Sequence, residues 1–246
     1  MAVMNIVAIV QARMGSTRLP NKVMSHISGI PMIELLLSRL AKAKEVDQII
    51  VASSIDERNI SFVTHVRKLG YACEQGSEND VLDRYVKAAK AHQADVIVRI
   101  TGDCPVVDPE LVDEVIRGFK AANVDYFSNV DPPTYPDGLD IEVFTFKALE
   151  KAGIETQDPF DREHVTPYLR KPGKYKTGSL QYSEDLSALR WTVDELPDFE
   201  VITGVFEHFY PRTDFSWIEV LNLESEQPEL FNINRHLIRN EGATMG

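Results

Sequence analysis

Over the first half of the chain, short apolar runs alternate with stretches of helical periodicity. The runs at 5–10, 48–53, 71–73, 96–101 and 125–129 predict strands. After the first of them, Met32, Leu36 and Leu40, with Ile33 and Leu37, recur at helical spacing, and Pro31 is expected to start that helix. A second helix is predicted over about 57–69, closed by Gly70 as the residue past its end. A third covers 81–92, with Leu82, Tyr85, Val86 and Ala89 on one side. A fourth follows Asp108-Pro109, where Asp108 caps and Pro109 takes the first helical position. This strand–helix order predicts an α/β fold with a mostly parallel, doubly wound sheet.

The alternation breaks at Asp131-Pro132-Pro133-Thr134-Tyr135-Pro136-Asp137-Gly138, which neither a helix nor a central strand accommodates. Residues 131–185 are expected to leave the sheet as a β-rich and helical excursion. It holds a strand near Ile141–Phe144, helices at 146–151 and 163–170, and a strand at 176–181. The main fold is expected to resume with a strand at 189–193 ending in Asp194. Helices near 199–209 and 217–223 and a polar tail complete one domain over 1–246.

Composition narrows the partners. The 246 residues are 43% hydrophobic and 26% charged, as in an ordinary globular protein, with a formal net charge of -12. Polymeric nucleic acid calls for a basic face and is not expected as a partner. The longest strand-like runs fall far short of the ~20 apolar residues of a membrane-spanning helix, so no membrane partner is expected. Cys73 and Cys104 make neither a disulfide framework nor a zinc pattern, and no signal peptide is recognisable at the N-terminus. A cytoplasmic location is expected. A small anion remains compatible with the acidic chain, provided one loop is locally basic.

Such a loop follows the first strand: Gln11-Ala12-Arg13-Met14-Gly15-Ser16-Thr17-Arg18-Leu19-Pro20-Asn21-Lys22. Open α/β sheets bind ligands at strand carboxyl ends. Gly15 lets the backbone approach, amides donate, and Arg13, Arg18 and Lys22 supply charge, an arrangement suited to a polyphosphate. The alternative is a loop whose cations face water. The loop contains neither a Gly-x-Gly-x-x-Gly fingerprint nor a Walker A sequence. At the end of a second strand stands Arg99-Ile100-Thr101-Gly102-Asp103-Cys104-Pro105. Asp103 there is either a metal ligand or the anchor of an Asx-turn. Asp194 is likewise a metal ligand or a helix cap, and with Asp103 it would form a pair opposite the basic loop. Ser77–Arg84 enters a helix with Asp80 as cap, and Asp83 and Arg84 read most simply as a solvated face. Within the excursion, Asp140 and Glu142 would share one side of a strand, and His164 reads most simply as a partly buried helix residue.

Taken in order, these motifs resemble the sugar-nucleotide cytidylyltransferases, the group containing CMP-KDO and CMP-sialic acid synthetases. The resemblance is nearest to their spore coat polysaccharide biosynthesis branch and runs over nearly the whole chain. Its strongest carriers are Gln11–Lys22 and Thr101-Gly102-Asp103-Cys104-Pro105, supported by 80–85, 137–143, 162–167 and 190–194. The resemblance implies a Rossmann-like sheet of the nucleotide-diphospho-sugar transferase type. It also implies transfer of CMP from CTP to a hydroxyl of an acidic sugar, with pyrophosphate released, in surface polysaccharide biosynthesis. Arg13 and Lys22 would contact phosphates, with Ser16 and backbone amides helping, so that Ala12, Arg13, Gly15, Ser16, Lys22 and Asp103 would bind the nucleotide. Ser77 and Arg84 would enclose the nucleotide, and Asp103 and Asp194 would hold Mg²⁺. Arg13, Lys22 and Asp103 are the catalytic candidates, and Asp140, Glu142, Arg162 and His164 the acceptor candidates. The excursion would mediate homodimer contacts. A glycosyltransferase using a finished nucleotide sugar, and a non-catalytic nucleotide-binding subunit, are the competing readings. The Gly-Asp-Cys-Pro sequence argues against the first, which commonly uses Asp-x-Asp.

Overall fold

The computed structural model describes residues 4–239. Its strands are β1 (Ile6–Gln11), β2 (His26–Ile27), β3 (Ile30–Pro31), β4 (Gln48–Ser54), β5 (Ala72–Gly76), β6 (Val96–Thr101), β7 (Tyr126–Ser128), β8 (Glu142–Thr145) and β9 (Thr177–Ser179). The helices are α1 (Met32–Leu40), α2 (Ile60–Lys68), α3 (Val81–Ala91), α4 (Pro109–Ala122), α5 (Phe146–Glu155), α6 (Pro159–His164), α7 (Pro167–Arg170), α8 (Leu196–Phe209), α9 (Trp217–Glu226) and α10 (Pro228–Phe231). None of these helices is long and apolar enough to cross a membrane.

Seven strands form one sheet in the order β5-β4-β1-β6-β8-β7-β9. The β5–β4, β4–β1, β1–β6 and β7–β9 pairs are parallel, and β8 runs antiparallel to β6 and β7. The sheet is therefore mostly parallel and α/β, as expected. Alternation along β1 shows how it is buried. Ile6, Ala8 and Val10 join a core with α1, α2, α4, α8 and α9, while Val7 and Ile9 join a second core with α3, α5 and α7. After β1 the chain crosses to β4 and β5 on one side, then returns to β6 on the other. The crevice at the carboxyl ends of β1 and β6 is the topological switch point.

Several local signals act as the sequence predicts. The Asp108 carboxylate accepts hydrogen bonds from the amides of Glu110 and Leu111 at 2.9 and 3.1 Å, with Pro109 starting α4. Gly70 follows α2 at φ +91°. Pro31, expected inside α1, stands just before it and pairs with His26 in the β2–β3 hairpin.

Two expectations are corrected. Residues 131–185 do not leave the sheet entirely, because they return β8 and β9 to it, with β8 inserted between β6 and β7. Residues 189–193 form no strand. Instead that segment is stitched to two loops. The Asp137 amide donates to Leu189 O at 2.9 Å, and the Val193 amide donates to Asp103 O at 2.8 Å. An apolar run buried against loops has the composition of a core strand without a strand's ladder partners, which explains the misreading.

Gly138 makes this stitching possible. Its φ is +108°, and a Cβ there would lie 2.5 Å from the carbonyl carbon of Trp191. We expect Gly138→Ala to destabilise the fold by about 3 kcal/mol, through backbone strain and overlap together. Urea unfolding monitored by far-UV circular dichroism measures this, and an unchanged midpoint would show that the 137–139 turn does not hold the 190–194 segment.

Candidate functional site

The loop after β1 is open to an anion by its hydrogen bonding. Among the described residues, the amides of Arg13, Gly15, Ser16, Thr17 and Arg18 donate to no protein acceptor. Those of Ala12, Met14 and Leu19 are taken by Ala52 O, Asn59 Oδ1 and Ser16 Oγ. Ala12 is buried, and its backbone and Cβ pack against Gly102, where a Cβ would lie 2.7 Å from that of Ala12. Ala12 thus sets the approach of the two loops and has no free amide to offer a phosphate.

Each cation of the loop is paired with a carboxylate. Arg13 reaches Glu78 at 3.1 Å, and Arg18 reaches Asp194 at 3.1 Å and Glu195 at 3.6 Å. Lys22 Nζ donates to Val193 O at 2.7 Å, Asp194 Oδ1 at 2.9 Å and Asp103 Oδ2 at 3.3 Å. Burial opposes the Lys22 charge, but Asp103 and Asp194 outweigh it and hold its pKa above the ordinary lysine value. Burial likewise pushes Asp103 up, and Lys22 together with the Thr101 hydroxyl brings it below the usual carboxylate range. The two aspartates singled out in the sequence therefore converge on one cation, although Asp194 ends no strand. Nor does Asp194 cap α8: the Asp198 carboxylate accepts the Asp194 and Glu195 amides at 2.9 and 3.0 Å.

Ser77 and Arg84 frame the next wall. The Ser77 hydroxyl accepts from the Asp80 amide at 3.0 Å, and Arg84 Nη1 donates to Ser77 O at 3.3 Å. Arg84 is no part of a solvated face. It is 1% exposed, its Nε lacks a partner, and burial lowers its pKa. Asp83, by contrast, makes the surface pair expected of that face, with Lys87 at 2.6 Å. A cavity of about 340 Å³ lies between Arg13, Glu78 and Asp80 on one side and Gln157, Pro159 and Arg162 on the other.

The acceptor candidates are not brought together as a set. Arg162 spends its donors on structure: Nε and Nη2 hold Asp80 at 2.8 and 2.6 Å, and Nη1 holds Gly153 O and Thr156 O. It ties α6 to the start of α3. Asp140 and Glu142 do not share a strand, since β8 begins at Glu142. Register places Glu142 opposite Arg99 on β6, and the buried Glu142 carboxylate pairs with Arg99 and accepts the Tyr126 hydroxyl at 2.6 Å. Burial opposes its charge, but Arg99 and Arg170 keep its pKa low. Asp140, partly exposed, instead meets Arg239 Nη2 at 2.6 Å. His164 ends α6, half-buried against Phe160 with ring centroids 4.4 Å apart, and burial lowers its pKa. The following residue, Val165, sits at φ +71°, a strained position for a β-branched side chain.

Sequence reasoning missed a second ionic network. The Arg190 guanidinium binds Asp198 at 2.8 Å and Asp137 at 3.0 Å, and reaches Asp194 at 3.4 Å. Asn234 donates to Asp198 at 2.9 Å and to Arg190 O. Asp198 and Asp194 lie close to Arg190 in sequence, but Asp137 and Asn234, which complete the network, are 53 and 44 residues away. No local spacing reveals them.

A cytidylyltransferase family model matches residues 7–200, and the chain belongs to that family. Members of the family are CTP-dependent nucleotidyltransferases, which sets aside the glycosyltransferase and non-catalytic readings. The chain is similar to the spore coat polysaccharide biosynthesis protein SpsF of Bacillus subtilis, 34% identical over 92% of this chain and 96% of that protein. It is similar to the 3-deoxy-manno-octulosonate cytidylyltransferase of Trichlorobacter lovleyi, 37% identical over 47% of this chain and 45% of that protein. The solved structure of a cytidylyltransferase from Leptospira borgpetersenii superposes with a TM-score of 0.89 at 30% identity, covering 93% of this chain and 97% of that one.

The network has a pH consequence. Burial, with the neighbouring Asp140 charge, pushes Asp137 up to about 7 despite Arg239 and Arg190. Unfolded aspartate titrates near ~3.9. Between these values the folded state binds the proton more tightly. The contribution of Asp137 is therefore full below pH ~4 and lost as pH rises through 7. We expect urea midpoints to fall between pH 5 and 7.5, and Asp137→Asn to flatten that slope. An equal slope in the variant would refute the assignment.

Proposed function

We propose that this cytidylyltransferase moves CMP from CTP to a hydroxyl of an acidic sugar, releasing pyrophosphate, in the synthesis of a surface polysaccharide. The relatives support the substrate classes: one is named for spore coat polysaccharide biosynthesis, another for an octulosonate acceptor. The observation that best supports this reading is the convergence of Asp103 and Asp194 on one cation, beside a loop five of whose amides have no acceptor among the described residues.

In this reading the triphosphate lies along Arg13–Lys22. The free amides and the Arg13 guanidinium bind the leaving pyrophosphate, and Ser77 and Arg84 close on the nucleoside side. The acceptor hydroxyl attacks the α-phosphorus; the new O–P bond forms as the bond to the β-phosphate bridging oxygen breaks and the hydroxyl proton is released. Catalysis rests on positioning and on neutralising developing charge. Asp103 and Asp194 fit Mg²⁺, which commonly takes one or two carboxylates and completes its shell with water and phosphate oxygens. Bound there, Mg²⁺ would supply charge to the α-phosphate and acidify the attacking hydroxyl. Asp140 is retained as an acceptor contact and His164 as a neighbour. Glu142 acts only through Arg99, and Arg162 only by holding α6 against α3. The 131–185 segment, with Ile154 and Phe160 exposed on α5 and α6, would carry homodimer contacts.

The test is a pyrophosphate-release screen of four nucleoside triphosphates against octulosonic, nonulosonic and other acidic sugars. CTP with one such sugar is expected to give turnover; preference for UTP or ATP would overturn the base assignment. Asp103→Asn should lower turnover roughly 10²- to 10³-fold, by analogy with loss of one transition-state contact. Near-normal turnover in that variant would remove Asp103 from the chemistry.

A further inference from the structure

Lys22 has two claims on it that conflict. As a member of the loop after β1 it belongs to the phosphates, yet its ammonium is committed elsewhere. A lysine has three N–H donors, and here three acceptors take them: Val193 O, Asp194 Oδ1 and Asp103 Oδ2, at 2.7, 2.9 and 3.3 Å. The residue is only 9% exposed. It cannot make these bonds and bind phosphate at once. Nor can a divalent cation take both aspartates while the ammonium stands between them, since like charges in one seat repel. Among the described residues, no group of three His, Cys, Asp or Glu side chains surrounds a metal position. Two carboxylates alone make a weak Mg²⁺ site, which becomes adequate when phosphate oxygens join it.

We propose that Lys22 is an exchangeable counter-ion that fills the Asp103–Asp194 cation seat and gives it up only when a nucleoside triphosphate draws its ammonium away. Metal and nucleotide then bind together, and the metal does not bind first. This rests on the reading of Asp103 and Asp194 as the metal pair. The four-carbon lysine stem supplies the reach. Its departure leaves two carboxylates facing each other, which a divalent cation satisfies. The loop is thereby coupled to the metal seat: phosphate binding removes the seat's occupant, and metal binding prevents its return.

The experiment measures Mn²⁺ binding by the loss of the free-ion electron paramagnetic resonance signal, without nucleotide and with CTP. The CTP arm tests the metal reading itself: protein-dependent uptake should vanish in Asp103→Asn, and if it does not, that reading fails. The arm without nucleotide tests the exchange. Lys22→Gln keeps a donor for Val193 O but removes the charge, and should bind Mn²⁺ alone at least roughly tenfold more tightly than wild type, as expected for deleting a like charge a few ångströms away. Lys22→Arg keeps the charge and should stay as weak as wild type. Thermal unfolding gives a second readout: Mn²⁺ should raise the Tm of Lys22→Gln more than that of wild type. Equal Mn²⁺ affinity in wild type and Lys22→Gln, or equal tightening in Lys22→Gln and Lys22→Arg, overturns the exchange even if the CTP arm succeeds.

Discussion

Three segments distant in sequence meet at the Lys22 ammonium: the loop after β1, the loop after β6, and residues 193–194. Most of the site's geometry depends on that meeting. β1 and β6 are neighbours in register over their full length, so their carboxyl ends arrive together. The 190–194 segment has no ladder to hold it there. It is kept in place by Asp137, Asp103 and the ammonium. Removing one partner of a buried charge cluster leaves the others uncompensated and is strongly destabilising, so the cluster is as much a structural clamp as a binding device.

The parts of the fold that were legible in the sequence share one property: their cause is local. β1, β4 and β6 were readable because buried parallel strands are nearly continuous apolar runs, and α4 because Asp108 and Pro109 mark its start. Residues 189–193 read as a strand because burial, not pairing, sets their composition. Arg84 read as solvated because charge at helical spacing usually is. Only the packing of α3 against the sheet reveals that it is 1% exposed. Glu142 and Arg162 were expected to contact the acceptor, but the structure spends them on Arg99 and Asp80, which lie 43 and 82 residues away. Sequence shows that a charge needs explaining; only the fold supplies its partner.

The acidity of the chain takes on a different meaning at the site. A net charge of -12 works against binding a polyphosphate. Yet Arg13, Arg18 and Lys22 are each held by carboxylates within 3.3 Å. The carboxylates keep the cations ordered, which limits the side-chain entropy a ligand must overcome to bind them. They also give an anion competitors to displace. At the proposed site, a triphosphate with several charges and access to the amides left without an acceptor among the described residues would outcompete single carboxylates where a monovalent anion would not. Acidic surroundings thus sharpen selectivity for a multivalent ligand.

The family match ends at residue 200, but the site does not. Asn234 braces Asp198 and the Arg190 backbone, and Arg239 binds Asp140 at 2.6 Å and Tyr135 O at 3.2 Å. Without Arg239, burial together with the Asp140 and Asp103 charges would push Asp137 up, and burial with the Glu142 and Asp103 charges would push Asp140 up, with less to oppose them. The C-terminal segment therefore brings positive charge to Asp140 and Asp137. The proposed nucleotide site lies at the ends of β1 and β6, where open α/β sheets bind ligands. Asp140, the proposed acceptor contact, follows a turn held by the stitched 189–193 segment and by Arg239, none of which the sheet dictates. If the proposed sites hold, that division would let a nucleotide site on the rigid scaffold stay constant while the acceptor contacts vary on segments free to differ.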